Sequence, residues 1–511
     1  MSESIENFLR RARNLHAEAV DGDAVALSRI GCFLPESDSY SIDDAKLVFA
    51  REQGCEDWAH LVKSFESGEL RIARLRSRLR IALFYGQHWV AENILNEDPN
   101  LPAEDLGLQI SLFQKDRVLE TLKRDPDAAT RKLGTRTPIL HLAFSRHIQS
   151  SPARTGDMLA IAERLLRLGS DPNDGIIYMP GSGHKLSALY GALCHADNIE
   201  LGRFLLERGA DPNDNESLYH STELNRIDGL ALLLRHGAAP NGTNALARAL
   251  DFNWHKAVEL LLEHGADPNE GIVPHPSGEP SFVATPLHQA ARRMCDKRMV
   301  ELLLDAGADA QLVYSGHTPY SLAKIYGNAE AAEALEARGG YSELSNVEKL
   351  LADAADGIID SDQQLRAEDL TEETKHLLVN IIAMPTRLDH AKRLVRSGFD
   401  FDAPDAMGVT PVQAAGWQGL PEAMSWLLSL GPELDHLNDF GGNLLSTIIH
   451  GSENCPDRSQ RDHVGCARIA LSAGLRLSPR AIDLAGDRAM AEFLGEWARL
   501  NPESVAEDGL A

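Results

Sequence analysis

Apolar and polar positions along this chain follow a helical rhythm that glycine interrupts again and again. Paired leucines recur, followed two or three residues later by Gly, a small residue, Asp, Pro and Asn. The phrase stands at Leu165-Leu-Arg-Leu-Gly-Ser-Asp-Pro-Asn173 and Leu205-Leu-Glu-Arg-Gly-Ala-Asp-Pro-Asn213. It returns at Leu233-Leu-Arg-His-Gly-Ala-Ala-Pro-Asn241 and Leu261-Leu-Glu-His-Gly-Ala-Asp-Pro-Asn269, with weaker copies at 303–309 and 394–400. Paired leucines make one apolar face of a helix. Glycine takes the left-handed conformation that ends it, and a proline shortly after prevents continuation. A second phrase precedes the first by about 21 residues: Thr137-Pro138, Thr285-Pro-Leu-His288, Thr318-Pro319 and Thr410-Pro411. Threonine is a helix N-cap and proline suits the first helical position. The pattern predicts a cap, a short helix, a turn, a second helix and a glycine stop, over and over.

The stop glycines are Gly169, Gly209, Gly237, Gly265, Gly307, Gly339, Gly398, Gly431 and Gly474. Their spacings of 40, 28, 28, 42, 32, 59, 33 and 43 residues point to a period near 33 with insertions. A fixed period of this size is the mark of a solenoid of stacked helix pairs. With Thr285-Pro-Leu-His288 and the Gly-Ala-Asp-Pro-Asn stops, the chain resembles the ankyrin repeat over roughly residues 68–500. The resemblance implies an all-α, elongated and curved ankyrin-repeat solenoid of about eleven to twelve helix-turn-helix repeats. It also implies that His288 braces neighbouring repeats through hydrogen bonds.

Three interruptions suggest the domain plan. Residues 1–67 lack the repeat and form an expected N-terminal helical module. Ile5, Phe8, Leu9, Ala12 and Leu15 fall at helical spacing within a helix expected over residues 4–20. The stretch from Ala45 to Trp58, closing on Leu61, is similar to a short helical leader ahead of ankyrin repeats in bacterial proteins. Residues 341–376 hold a Ser345-x-x-Glu348 capping box and an acidic loop, and set the expected border between a first repeat stack, 68–340, and a second, 341–511. A third interruption is the insertion at 450–466.

Composition narrows the function. Hydrophobic residues make up 43% and charged residues 25%, which places the chain among ordinary globular proteins and away from global disorder. Fifty Lys and Arg face 76 Asp and Glu, a formal charge of −26. Phosphate-binding proteins carry the opposite excess, so nucleic acid is set aside as the main ligand, and an anionic membrane surface with it. Charge favours a basic protein partner. No apolar run approaches the length of a membrane span. The start lacks a basic stretch followed by an apolar run, so no signal peptide is expected. Six scattered cysteines fit a reducing cytosol rather than a disulfide scaffold. The expectation is a cytoplasmic monomer.

No catalytic fingerprint stands out, and neither an enzyme nor a cofactor is expected. Ser321-Leu-Ala-Lys324 matches a nucleophile motif by letters, yet lies inside a repeat's first helix and reads as structural. Asp360 and Asp362 read as solvated loop carboxylates. His450, Cys455, His463 and Cys466 carry two imidazoles and two thiols, a donor set for tetrahedral zinc, but without a Cys-x-x-Cys spacing. A loop packed by its own polar contacts is the preferred reading there. Arg71, Arg74, Arg76, Arg78 and Arg80 alternate with Ile72, Leu75 and Leu79. They suggest a solvated helix face, with contact to an acidic partner or nucleic acid as the other reading.

Ankyrin proteins bind partners through turn tips and the inner helix face. Counting from the Thr of Thr-Pro, outward positions of the first helix fall at about five, eight and nine. They include Leu322, Ile325 and Tyr326; Ala414, Trp417 and Gln418; Gln289, Arg292 and Arg293; Arg248, Asp251 and Phe252, with Trp254 just after; and Cys194 with His195. Tyr314 and Phe440 fall in turns. Aromatic and arginine side chains anchor interfaces. Phe252, Trp254, Arg292, Arg293, Tyr314, Tyr326, Trp417 and Phe440 are therefore the expected contact residues, with packing between helices as the competing role. The expected function is a non-catalytic protein-interaction scaffold that binds through the concave face and turn tips. The alternative is an acidic inhibitor or effector that occupies a basic nucleic-acid-binding or host protein.

Overall fold

A computed structural model describes residues 5–35, 37, 39–177, 184–224, 226–272, 284–358 and 365–505. The fold is all-α. Among the described residues the only strands are the short antiparallel pair Gly175–Ile177 and Lys185–Ser187. The chain divides into two compact units.

The second unit, residues 83–88 and 103–414, is a run of helix pairs. It includes Ile199–Glu207 after the short helix Ala188–Tyr190, Ser217–Ser221 with Ile227–Arg235, and Ala245–Asp251 with His255–Glu263. Pro286–Arg292 with Lys297–Asp305 and Pro319–Tyr326 with Ala329–Ala337 follow. All nine glycines expected as helix stops have φ between 79° and 108°. A side chain there would meet its own carbonyl oxygen, so the glycine is a backbone requirement. The threonines behave less uniformly. Thr318 caps its helix through Ser321 N at 3.1 Å, whereas Thr285 turns its hydroxyl to His288 Nδ1 at 2.7 Å and Thr137 turns its hydroxyl to Asp174.

The Asn that closes each phrase joins one repeat to the next. Asn213 Nδ2 donates to Gly237 O at 3.3 Å, and its Oδ1 accepts from Ala239 N at 2.8 Å. Asn241 repeats this on Gly265 O at 3.0 Å and Asp267 N at 2.8 Å, and Asn269 on Gly307 O at 3.0 Å and Asp309 N at 2.7 Å. The carbonyl bonded in each case is that of the next stop glycine, a group the helix end leaves without an intrahelical partner. His288 adds a brace, its Nε2–H donating to His317 O at 3.1 Å. That carbonyl fixes the tautomer, so Nδ1 accepts from Thr285. Burial pushes the His288 imidazole down to about 4, although the bond to His317 O opposes the shift.

The segment after 340 is built into this unit. Helix Asn346–Asp356, capped by Ser345 as its capping box predicts, packs on Pro319–Tyr326 and on Leu388–Arg396. The border expected at 340/341 therefore falls within one compact unit. Asp360 and Asp362 lie outside the described residues, as does most of the acidic loop's end.

The first unit comprises residues up to 82, 89–102 and from 415 onward. Its N-terminal part holds Ile5–Val20, Ala24–Gly31, Ile42–Glu52 and Trp58–Glu66; the expected first residue, Ser4, lies outside the described residues. Phe8, Ala12, Phe49, Ala50, Cys55, Leu61 and Leu70 form one core cluster, with Phe8 edge-on to Phe65 at 5.4 Å. Leu15, Ala26, Ile30, Ala45 and Val48 form a second. The same unit contains the C-terminal helices, and Trp89 Nε1 donates to Gly486 O at 2.9 Å. The arginine run in helix Glu69–Tyr85 is engaged within the protein. Arg71 pairs with Glu97, Arg74 lies over the Phe8 ring at 5.3 Å, and Arg76 donates to Leu101 O at 3.0 Å. Burial lowers the Arg78 guanidinium against the raising pull of Glu453 and Asp483.

Candidate interaction site

On the second unit, a line of paired charges crosses the first helices of successive repeats. His184 meets Glu216 at 2.5 Å, and His220 meets Glu216 and Glu223 at 3.0 Å each. Arg248 pairs with Glu223 at 2.8 Å and with Asp251 at 2.7 Å. Arg293 reaches Asp251 at 2.8 Å, and Arg292 reaches Glu373 at 3.0 Å. Burial disfavours the charged forms of His220 and Asp251. For His220 it opposes the charge, but the hydrogen bonds that its ring donates to Glu216 and Glu223 outweigh it and raise the imidazole to about 9. Asp251 is likewise held below its ordinary value despite burial, because Arg293 and Arg248 face it. The groups are fixed in place by one another, which gives this face a preset pattern of charge.

Beside this line lies a cavity of about 310 Å³, bordered by helices Ala245–Asp251 and Pro286–Arg292, by residues 372–380 and by the turn at 405–407. Arg248, Asp251, Arg292 and Arg293, all read from the sequence as outward positions, stand at its wall. Residues 372–380 enter the site from 80 residues beyond Arg292, and the repeat register gives no sign of that approach.

That approach corrects part of the expected surface. Tyr326 is 1% exposed and does not face solvent. Its hydroxyl donates to Glu373 Oε1 at 2.7 Å and accepts from Asn380 Nδ2 at 3.1 Å, so residues 372–380 cover it. Leu322, Ile325 and Ala414 are also buried, as is Gln289. Phe252 is half-buried with Arg248 over its ring at 4.9 Å, and Trp254 and Tyr314 are half-buried. Arg293 is exposed. In the first unit Trp417 is half-buried against the His450 ring at 5.1 Å, and Phe440 is 74% exposed.

The zinc candidate does not assemble. His463 Nε2 donates to Trp417 O at 2.9 Å, Cys455 Sγ donates to Gln418 Oε1 at 3.5 Å, and His450 Nδ1 faces Asn454 Nδ2 at 3.0 Å. Burial pushes the Cys466 thiol up to about 12, away from the thiolate a metal needs. Among the described residues no group of three or more His, Cys, Asp or Glu is arranged to hold a metal ion. The segment 450–466 is instead the end of helix Leu444–Asn454, a turn and the start of helix His463–Ser472. All six cysteines are free thiols.

Sequence reasoning named Phe440 but overlooked the other members of its set. Among the described residues between 103 and 442, every exposed large apolar side chain sits in a connection between helices. Ile177, Val313, Tyr341, Ile358 and Met407 do so in the second unit, and Leu437 and Phe440 in the first. Within that stretch the helices contribute none, whereas outside it Val20, Leu27, Ile72, Tyr85 and Leu500 are exposed on helices. The sequence signal was available: an apolar residue inside the polar stretch that follows a glycine stop.

Comparison with known proteins now gives the class. Residues 147–272 match the family model for ankyrin repeats in three copies, and residues 284–313 match that for a single ankyrin repeat. With the helix pairs, glycine stops and Thr-Pro-Leu-His brace, this shows ankyrin repeats over residues 147–272 and 284–313. Among solved structures it is similar to the human ASB11 ankyrin repeat domain, with 24% identity. The match covers 50% of this chain and 96% of that one, at a TM-score of 0.21. No curated protein sequence matches the chain. Ankyrin repeats are generally protein–protein interaction modules and typically non-catalytic. Among the described residues, no helix is long and apolar enough to cross a membrane.

Proposed function

We propose that this protein is a non-catalytic scaffold that binds a protein partner through its repeat turn tips and the adjoining concave, inner-helix face. The observation that carries the reading is that, among the described residues between 103 and 442, the exposed large apolar side chains lie in the connections. Val313, Tyr341 and Met407 stand exposed in the connections, where aromatic and apolar groups rimmed by polar turns suit an interface. The preset charge pattern beside them supplies orientation and discrimination rather than bulk affinity. A rigid stack loses little ordering entropy on binding. Phe252, Trp254, Arg292, Arg293, Tyr314, Trp417 and Phe440 are secondary contacts in this reading, with access set by their partial burial.

The test is crosslinked capture from native lysate, with wild type and a Val313→Ser/Tyr341→Ser/Met407→Ser variant as baits and folding checked by circular dichroism. A prey lost from the variant supports the turn tips. The same prey held equally by both baits moves the site elsewhere and overturns the assignment.

The net charge of −26 favours a second reading, occupation of a basic protein as an acidic inhibitor or effector in the cytoplasm. Binding dominated by charge weakens steeply with salt. Partner binding unchanged between low and high ionic strength would remove it.

A further inference from the structure

The cavity on the second unit is walled by charges that already have partners. Arg248 and Arg293 are held by Asp251, Arg292 by Glu373, and Glu372 by Lys375. Asp405 accepts from the backbone of its own turn, at Met407 N and Val409 N, each at 2.9 Å. A charged ligand would have to compete with these pairings for its counter-ion.

Two neutral polar atoms at this wall have no partner. Gln289 is 5% exposed, and its Nε2 is committed to Asp251 Oδ1 at 2.5 Å. Its Oε1 is buried and accepts from nothing. His376 Nδ1, brought in by residues 372–380, is also buried and unpartnered. A buried polar atom without a hydrogen bond is costly, and at a cavity wall it is completed by a water or by a ligand group that displaces one. Gln289 Oε1 requires an N–H. An imidazole nitrogen accepts or donates according to tautomer. Ile272, Ala247 and Met407 add apolar surface to the lining.

We infer that this cavity binds a planar carboxamide of a peptide partner: an uncharged group whose N–H satisfies Gln289 and whose second polar atom meets His376. The inference rests on the reading of the repeats as a protein-binding module and names the chemistry of one anchor point. A cavity of about 310 Å³ sits at the lower end of ligand-pocket sizes, the scale of a side chain with its flanking backbone. The carboxamide comes from an Asn or Gln side chain or from the main chain.

The test uses blocked tripeptides, acetyl-Gly-X-Gly-amide with X as Gln, Ala, Glu or Lys, binding to the full-length protein in saturation-transfer NMR titrations. The Gln peptide should bind about tenfold more tightly than the Glu and Lys peptides, the worth of one hydrogen bond to a buried acceptor. Gln289→Met should weaken it by a similar factor. If the Ala peptide binds as well as the Gln peptide and only the charged Glu and Lys peptides are weaker, the source is the main-chain group; if the Ala peptide is as weak as they are, the source is the side chain. His376→Ala, at a half-exposed position, provides the second readout should Gln289→Met fail to fold, and it too should weaken binding several-fold. Absence of binding, a preference for Glu or Lys, or unchanged affinity in both variants overturns the inference. The tripeptides do not depend on the turn tips at Val313 and Tyr341, which lie outside the cavity lining. Their failure is therefore distinct from failure of the capture experiment.

Discussion

Replacing Asn241 by Ala isolates what holds one repeat to the next. The side chain makes two bonds across a repeat boundary, to Gly265 O at 3.0 Å and from Asp267 N at 2.8 Å. A neutral intramolecular hydrogen bond contributes about 0.5–1.5 kcal/mol net. Both bonds lie at an exposed edge where water competes, so the lower half of that range applies and the pair is worth about 1–2 kcal/mol. In a stack, each repeat contacts only its neighbours, so the loss should stay local. Native-state hydrogen exchange is the appropriate assay, because a chain of two units does not give one unfolding free energy. The Asp267 amide, and the helices Ile227–Arg235 and His255–Glu263 on either side, should lose protection by a factor of about 5–30. Asn241→Asp keeps the acceptor for Asp267 N but sets a carboxylate against the Gly265 carbonyl. It should expose the end of helix His255–Glu263 while leaving the Asp267 amide protected. Lys256→Ala, an exposed change on the same helix, should do neither. The reasoning is refuted if Asn241→Ala changes Asp267 exchange by less than about twofold, or if protection falls uniformly through the whole unit.

Three further outcomes follow from the described contacts. His288 is buried and its imidazole is pushed down to about 4, so the folded state resists protonation. Its contribution is intact above the ordinary value near 6.5 and is lost as pH falls toward 4, by up to about 3 kcal/mol; His288→Gln should flatten the acid side of a urea-midpoint profile over that window. Gly451→Ala would place a methyl group against the backbone carbonyl of Trp417, which cannot turn aside; the first unit should lose about 1–3 kcal/mol in denaturant unfolding, with the second unit unchanged. Phe8→Ala removes the ring that contacts Phe49 at 5.6 Å and Phe65 at 5.4 Å, and should cost the first unit about 3–5 kcal/mol, read as an earlier unfolding transition.

Legibility in the sequence followed the range of the interaction. The nine stop glycines could be read because the left-handed turn is a property of one residue, and all nine adopt it. The Ser345 capping box could be read because its two partners are three residues apart. The Asn at the end of each phrase was legible as a position but not as a function, since its partner lies 24 to 38 residues on, at the next glycine. Tyr326 shows where the reading failed. Its register within the repeat was right, and an ordinary neighbour would have left its face open, but Glu373 arrives from 47 residues away to bond its hydroxyl. The same arrival of residues 372–380 builds the cavity around Gln289, so one long-range event both removed an expected contact residue and created an unexpected site. Periodicity predicts which face a helix turns outward; it says nothing about what an irregular stretch between repeats brings to cover that face. In a repeat protein the insertions, and not the repeats, are therefore where the particular chemistry of the chain is decided.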